Sequence, residues 1–439
     1  MRARSIRGDF VHAPVRGEIE VLRDHVILIG RDGTIASVAP AAEGVPDGTL
    51  ELPAGQVVLP GFVDLHVHAP QYPQLGLALD EPLEVWLGKY TFPLEARYAD
   101  LDFAREAYGT LVSDLLAGGT TTALYFATVH REATQVLAEI CLEQGQRGLV
   151  GKVVMDNHET SPDYYRDETA ASAVTDTRAV IDHIRDLPGN DRVLPVVTPR
   201  FIPSCTDEAL AGLGALVREC GCHVQTHCSE SDWAHGYALE RYGHTDTSAL
   251  DGFGLLTRKT ILAHSVFLTD ADMDAVRAAG AGVAHCALSN MYFANAVFPL
   301  RRALEKGLHV GLGTDVSGGP SASMLEACRT TVQASRLLET GVDPDVPRET
   351  RGHPRVTIDM KTAFHLATAG GGEALDLPVG IFAPGYHFDA IAIDPNVADG
   401  TIRLFGAQAT DRIEQILYGA SRPNLVATYV GGDLVAKRS

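Results

Sequence analysis

The sequence predicts an α/β protein, a (β/α)₈ barrel carrying a small β-sandwich domain built from both ends of the chain. Three observations lead there. Eight short apolar runs alternate with longer helical stretches through the middle of the chain, both ends read as strands joined by turns, and several of the apolar runs end in or beside histidine or aspartate.

The alternation is the βαβ rhythm of a parallel sheet. Its strands are expected at 57–68, 120–127, 149–156, 193–198, 223–227, 260–264, 282–285 and 310–314. Eight at this spacing argue for a closed barrel rather than an open sheet. The intervening helices carry their usual signals: the stretch from Asp270 to Gly280 opens with acids and closes on glycine. At the N-terminal end, two apolar runs flank Asp32-Gly33, a strong hairpin signal. Short strands recur around 388–393 and 425–430. Neither end has enough strands to bury a core alone, so the two are expected to combine. The expected division is 1–58 and 381–439 for the composite β-domain, with 59–380 for the barrel.

Composition narrows the function. Apolar residues make up 45% of the 439, enough for a large core, and the formal net charge is −20. So acidic a surface repels phosphate backbones and anionic lipid, which excludes nucleic acid and membrane as expected partners and favours a small neutral molecule. No run approaches the length of a membrane span, and the basic first ten residues lack the apolar core of a secretory signal. Seven scattered cysteines without a CxxC pair argue for a reducing cytoplasm. Cys220 and Cys222, a lone CxC, read as small core residues.

The chemistry lies at the strand ends. The first strand ends in His66 and His68, the fifth in His227, the sixth in His264, and Asp315 follows the eighth. In a barrel of this type those ends surround the active-site mouth. His66 and His68 stand two apart, so a regular strand points both imidazoles the same way. With His227 and Asp315 they offer three nitrogens and a carboxylate oxygen, a set that suits one zinc per chain and tolerates ferrous iron. Glu230, three residues beyond His227, is placed to shuttle protons; the bland alternative is a surface glutamate. His264 suits an orienting role, with direct ligation the alternative. His285 ends the seventh strand and can line the pocket or simply pack. No lysine ends the fourth strand to bridge two metals, so one ion is expected. His130, His158, His183, His235, His244 and His365 have no partner at ligand spacing, and His130-Arg-Glu132 lacks the PCxxC of the cytidine-deaminase type of zinc site.

Pro60-Gly-Phe-Val-Asp-Leu-His-Val-His68, His227-Cys-Ser-Glu230, Ala263-His264 and Gly311-Leu-Gly-Thr-Asp315 resemble the amidohydrolase superfamily in its single-metal deaminase branch. Pro384-Gly-Tyr-His-Phe-Asp-Ala-Ile-Ala-Ile-Asp394 resembles its C-terminal return strand. A narrower resemblance, to the guanine deaminase family, rests on His68-Ala-Pro-Gln-Tyr72, Trp86-Leu-Gly-Lys-Tyr-Thr-Phe-Pro-Leu-Glu95, Asp163-Tyr-Tyr-Arg166, Thr198-Pro-Arg-Phe201 and the stretch from Gly311 to Gly319. It departs at Ala287, where that family usually has proline.

The resemblance implies His66, His68, His227 and Asp315 as metal ligands and Glu230, His264 and Asp315 as catalytic groups. It also implies that Gln71, Arg200 and Phe201 hold a purine, and that the protein is a homodimer. The purine-holding residues make chemical sense: Gln71 can donate and accept, Arg200 donates to a carbonyl, and Phe201 offers a ring face. Their bland alternatives are a loop-cap amide, a salt-bridged barrel residue and a core aromatic. The implied reaction is hydrolytic release of ammonia from guanine. Related 2-amino-4-oxo heterocycles (8-oxoguanine, a pterin, ammeline), ring opening of a cyclic amide and a catalytically dead scaffold are the alternatives.

Overall fold

The computed structural model describes residues 4–294, 296–406 and 409–438. Eight parallel strands form the central sheet: β1 (Phe62–His68), β2 (Thr120–Phe126), β3 (Arg147–Gly151), β4 (Leu194–Pro199), β5 (His223–Cys228), β6 (Thr260–His264), β7 (Gly282–His285) and β8 (His309–Leu312). Each pairs with the next in sequence, and a two-residue strand, Val153–Val154, extends the line of β3 against β4. The ring closes where Asp315 N donates to His66 O and His68 N to Val316 O, at 2.9 and 2.8 Å. This is the expected (β/α)₈ barrel.

The helices wrap the outside for ordinary reasons. Asp270–Ala279 starts at Thr269, whose hydroxyl accepts from Asp272 N while the Asp272 side chain accepts from Thr269 N, and it ends on left-handed Gly280. Inside the barrel, Val63, Leu65, Leu124, Leu149, Val196, Ile261 and Ala284 pack with Ala374, Leu375 and Val379. Polar side chains gather at the carboxyl ends of the strands, while His223, at the start of β5, is buried against this layer with its Nε2 donating to Leu375 O at 2.8 Å. Cys222 is buried as expected, whereas Cys220 is partly exposed.

Both termini share one second sheet of eight strands. Ser5–His12, Glu20–Ile29, Ile35–Pro40, Leu50–Glu51 and Val57–Pro60 come from the first sixty residues; Ala390–Ile393, Leu425–Val430 and Asp433–Lys437 come from the last fifty. Asp32-Gly33 turns the predicted hairpin. A Cβ on Gly33 would lie 2.9 Å from Gly431, so this turn touches the turn of the C-terminal hairpin and the sheet curls on itself. Ile6, Phe10, Ile27, Ile29, Ile35, Phe388 and Tyr429 fill the space between. Arg147 of β3 donates to Asp389 at 3.1 Å in a buried ion pair that ties this sheet to the barrel.

The strand expected to run unbroken over 57–68 is two strands. Val57–Pro60 pairs within the terminal sheet, and Phe62 begins the barrel. The hinge is Gly61, where a Cβ would lie 2.0 Å from Thr121 Oγ1. Only glycine lets β2 approach so closely. The apolar run hid this break because both strands are buried throughout.

Candidate active site

Asp64 sets the geometry of the barrel mouth. Its fully buried carboxylate accepts from Thr314 N (3.0 Å), Thr314 Oγ1 (2.6 Å) and His66 N (3.2 Å). One side chain thus locks the end of β8 to β1, and the pairing of β1 with β2 is irregular between Asp64 and Val67. Beyond this lock His66 and His68 enter one cluster, with ring centroids 4.9 Å apart. His227 arrives from β5, its Nδ1 donating to Arg200 O at 2.6 Å, which leaves Nε2 as the lone pair aimed inward.

Nε2 of His68 and Nε2 of His227 stand 2.9 Å apart. Asp315 Oδ1 lies 3.2 Å from His66 Nε2 and 3.7 Å from His68 Nε2. His264 points at the same place: its Nε2 is 3.6 Å from Glu230 and 3.9 Å from Asp315 Oδ2, while its Nδ1 donates to Asn290 Oδ1 at 2.9 Å. Every one of these side chains is buried.

The backbone is strained to achieve this. Ser229, His264, Ser265 and Asp315 adopt left-handed φ values of 48°, 67°, 55° and 51°, unusual for residues other than glycine. Each such residue costs on the order of 1–3 kcal/mol and persists where its surroundings hold it. Here the Ser265 and Asp315 amides are held by Cys228 O and His66 O, at 2.8 and 2.9 Å.

Burial first, then the crowding of neighbouring imidazoles and the charge of Arg200, hold His66, His68 and His227 well below the ordinary imidazole range. All three are neutral and present lone pairs. Burial pushes Glu230 up to about 8, with Asp315 adding to the rise and Arg200 opposing it. Burial also raises Asp315, against the pull of His264. His66 Nε2 is buried with no hydrogen-bond partner. The ligand atoms of His66, His68 and His227, and those of His66, His264 and Asp315, lie within 4.8 Å of one another. Neutral imidazoles, a carboxylate and an orphaned inward nitrogen are the donor set of a metal site.

Above the cluster is a pocket of ≈ 350 Å³, its mouth included. His68, His227, Glu230 and Asp315 form its floor, Gln71, Arg200 and Phe201 one wall, and Leu83, Trp86, Leu87 and Phe293 the apolar rest. The structure therefore brings together every residue singled out from the sequence except His285. Its ring packs 5.6 Å from Phe298, and it does not line the pocket.

Four functional neighbours were not singled out. Glu95 binds Arg200 and Gln71, Asn290 holds His264, and Trp86 and Phe293 line the pocket. Arg200 is thus both a pocket residue and an ion-paired one. Gln71 is fixed at both ends, and Phe201 lies 5.7 Å from Trp233 at the edge of the pocket.

The amidohydrolase family model matches residues 57–435. The chain belongs to the amidohydrolase family. Family relatives similar over nearly the full length are guanine deaminases. That of Homo sapiens is 36% identical, covering 99% of this chain and 96% of its own, and that of Dictyostelium discoideum is 35% identical, covering 98% and 97%. Among solved structures, a guanine deaminase from C. acetobutylicum with guanine bound in its active site superposes with a TM-score of 0.88 at 30% identity, covering 98% of this chain and 99% of that one.

Proposed function

We propose that this chain is a zinc-dependent guanine deaminase, converting guanine and water to xanthine and ammonia. The observation that carries this reading is the stack of two layers. Neutral imidazoles and Asp315 converge below, and a slot with Arg200, Gln71 and aromatic rings lies directly above them. The full-length guanine deaminase relatives support the same substrate.

His66, His68, His227 and Asp315 would hold the ion; three nitrogens and one oxygen suit zinc better than iron. When bound, such an ion supplies a Lewis acid that makes water nucleophilic near neutral pH. The protein's own groups do the rest. Glu230, protonated in its buried setting, donates to the ring nitrogen beside C2 so that the ring accepts the electron pair of the attacking water. His264, its Nδ1–H committed to Asn290, turns Nε2 toward that water and fixes its direction. Asp315 takes a proton from the water as it adds at C2; Glu230, now a carboxylate, relays that proton to the 2-amino group, ammonia leaves, and the proton of the C2 hydroxyl returns to Glu230. Arg200 donates to the C6 carbonyl, and Phe201, with Trp86, confines the ring plane.

We propose a cytoplasmic homodimer acting in purine breakdown as the setting. Seven unpaired cysteines, six of them buried, support a reducing compartment. Among the described residues no helix is long and apolar enough to cross a membrane. The test is ammonia release from metal-analysed protein over guanine, 8-oxoguanine, pterins, ammeline, cytosine and adenine. Guanine as the best substrate supports the reading, and release from none of the 2-amino compounds overturns it.

A further inference from the structure

Glu95, at the end of the short helix Phe92–Ala96, is fully buried and lies behind the pocket wall. Its Oε2 accepts from Arg200 Nη1 at 2.7 Å, and its Oε1 from Arg200 Nη2 at 3.2 Å and from Gln71 Nε2 at 2.9 Å. We propose that Glu95 is a positioning residue that fixes which atoms of Arg200 and Gln71 face the ligand, and so makes the pocket select a carbonyl beside a ring N–H. The inference rests on reading the pocket as a purine site and adds to it the source of its selectivity.

Gln71 alone has no preferred orientation. Its amide has a donating and an accepting end of nearly equal size, and turning it over costs little unless the neighbours object. Here both neighbours object. The Glu95 carboxylate can only accept, and Ser317 N, donating to Gln71 Oε1 at 3.3 Å, can only donate. Reversing the amide would set oxygen against carboxylate and N–H against N–H. Gln71 therefore keeps its oxygen, with a free lone pair, as the acceptor it can offer a ligand, beside the second N–H of its amide.

Arg200 is fixed from two sides. The Glu95 fork holds two of its five N–H groups, and the Phe92 ring lies 5.1 Å from the guanidinium carbon. The N–H groups that remain are donors and nothing else. A donor from Arg200 and an acceptor from Gln71 are the complement of –NH–C(=O)–, the edge that guanine presents at N1 and C6.

A merely structural Glu95 would tie the 92–96 turn to the barrel and affect all ligands alike. The separating experiment is calorimetric titration of metal-replete wild type and Glu95→Gln with hypoxanthine and with unsubstituted purine. Hypoxanthine has the C6 carbonyl and N1–H but no 2-amino group to release; purine has neither the carbonyl nor the N1–H. Glu95→Gln keeps the shape, but its amide can donate, which frees Gln71 to turn. Metal content and unfolding midpoint are measured beside it. Should that variant fail to fold, Glu95→Asp, which withdraws the carboxylate by one methylene, is read in the same way.

Wild type should bind hypoxanthine at least ~30-fold more tightly than purine, since unmet buried donors penalise the ligand that lacks the edge. The variant should weaken hypoxanthine by at least ~10-fold and purine by less than ~3-fold. Equal weakening of both, or of neither, overturns the role of Glu95 while leaving the purine site standing. A wild type that does not distinguish the two ligands overturns the purine site itself, and this proposal with it.

Discussion

The Nε2 atoms of His68 and His227 face each other at 2.9 Å, with their rings within 11° of parallel, although 159 residues separate them in the chain. Burial keeps both imidazoles neutral, and Arg200 O holds the hydrogen of His227 on the far nitrogen. Two imidazole nitrogens turned to one place, with His66 and Asp315 alongside, are a donor set that suits a divalent cation. His66→Ala and His227→Ala should each lower bound zinc from about one ion per chain to well below half, with activity falling in proportion. Metal analysis after gel filtration reads this, and variants that hold full metal would remove the ion from the account.

Glu230→Gln should behave differently. The side chain is not among the proposed ligands, so zinc content and fold should match wild type. The rate should drop by about 10²–10⁴, the usual cost of losing a positioned acid–base group. A loss under about tenfold, measured as steady-state kcat with metal confirmed, would make Glu230 a bystander.

Arg200→Met keeps length and loses every donor. Guanine kcat/KM should fall at least ~100-fold, because the C6 carbonyl loses its partner. Unlike Glu230→Gln, this change should also lower the unfolding midpoint. It leaves the Glu95 carboxylate buried without its cation, a loss typically costing about 3–5 kcal/mol. Kinetics and thermal unfolding of one preparation check both halves.

His285 gives a prediction away from the chemistry. Burial, with His264 adding to it, lowers its pKa to about 3 from an ordinary value of 6.5. Below pH 6.5 the unfolded chain therefore takes up this proton while the folded chain does not, and stability falls with pH until about 3. At one and a half units below 6.5 the loss from this residue is roughly 2 kcal/mol. His285→Leu removes that term. Urea unfolding at pH 7 and pH 5 should show a smaller drop for the variant than for wild type, and equal drops would mean that His285 protonates freely in the fold.

What the sequence made legible was whatever departed from its own local pattern. Imidazoles and a carboxylate ending apolar runs have no reason to be there unless they meet, and His66, His68, His227, His264 and Asp315 do meet. Glu95 and Asn290 could not be found that way. They sit on short helical turns where polar residues are unremarkable, and their meaning depends on partners 105 and 26 residues distant. The stretch from Trp86 to Glu95 carried the only hint, as part of the guanine deaminase resemblance. Gly61 was illegible for another reason: its role is set by the approach of Thr121, a tertiary contact no local pattern encodes.

The central claim, a metal-assisted deaminase whose slot reads the C6 carbonyl and N1–H of guanine, is tested most directly by one paired assay. Ammonia release is measured from guanine and from adenine, at equal concentration, with zinc-replete wild type. The account predicts steady conversion of guanine to xanthine and at least ~10³-fold slower release from adenine, which sets an amine against the donors of Arg200 and carries nothing at C2 to release. Comparable release from both bases, or none from guanine, would contradict it.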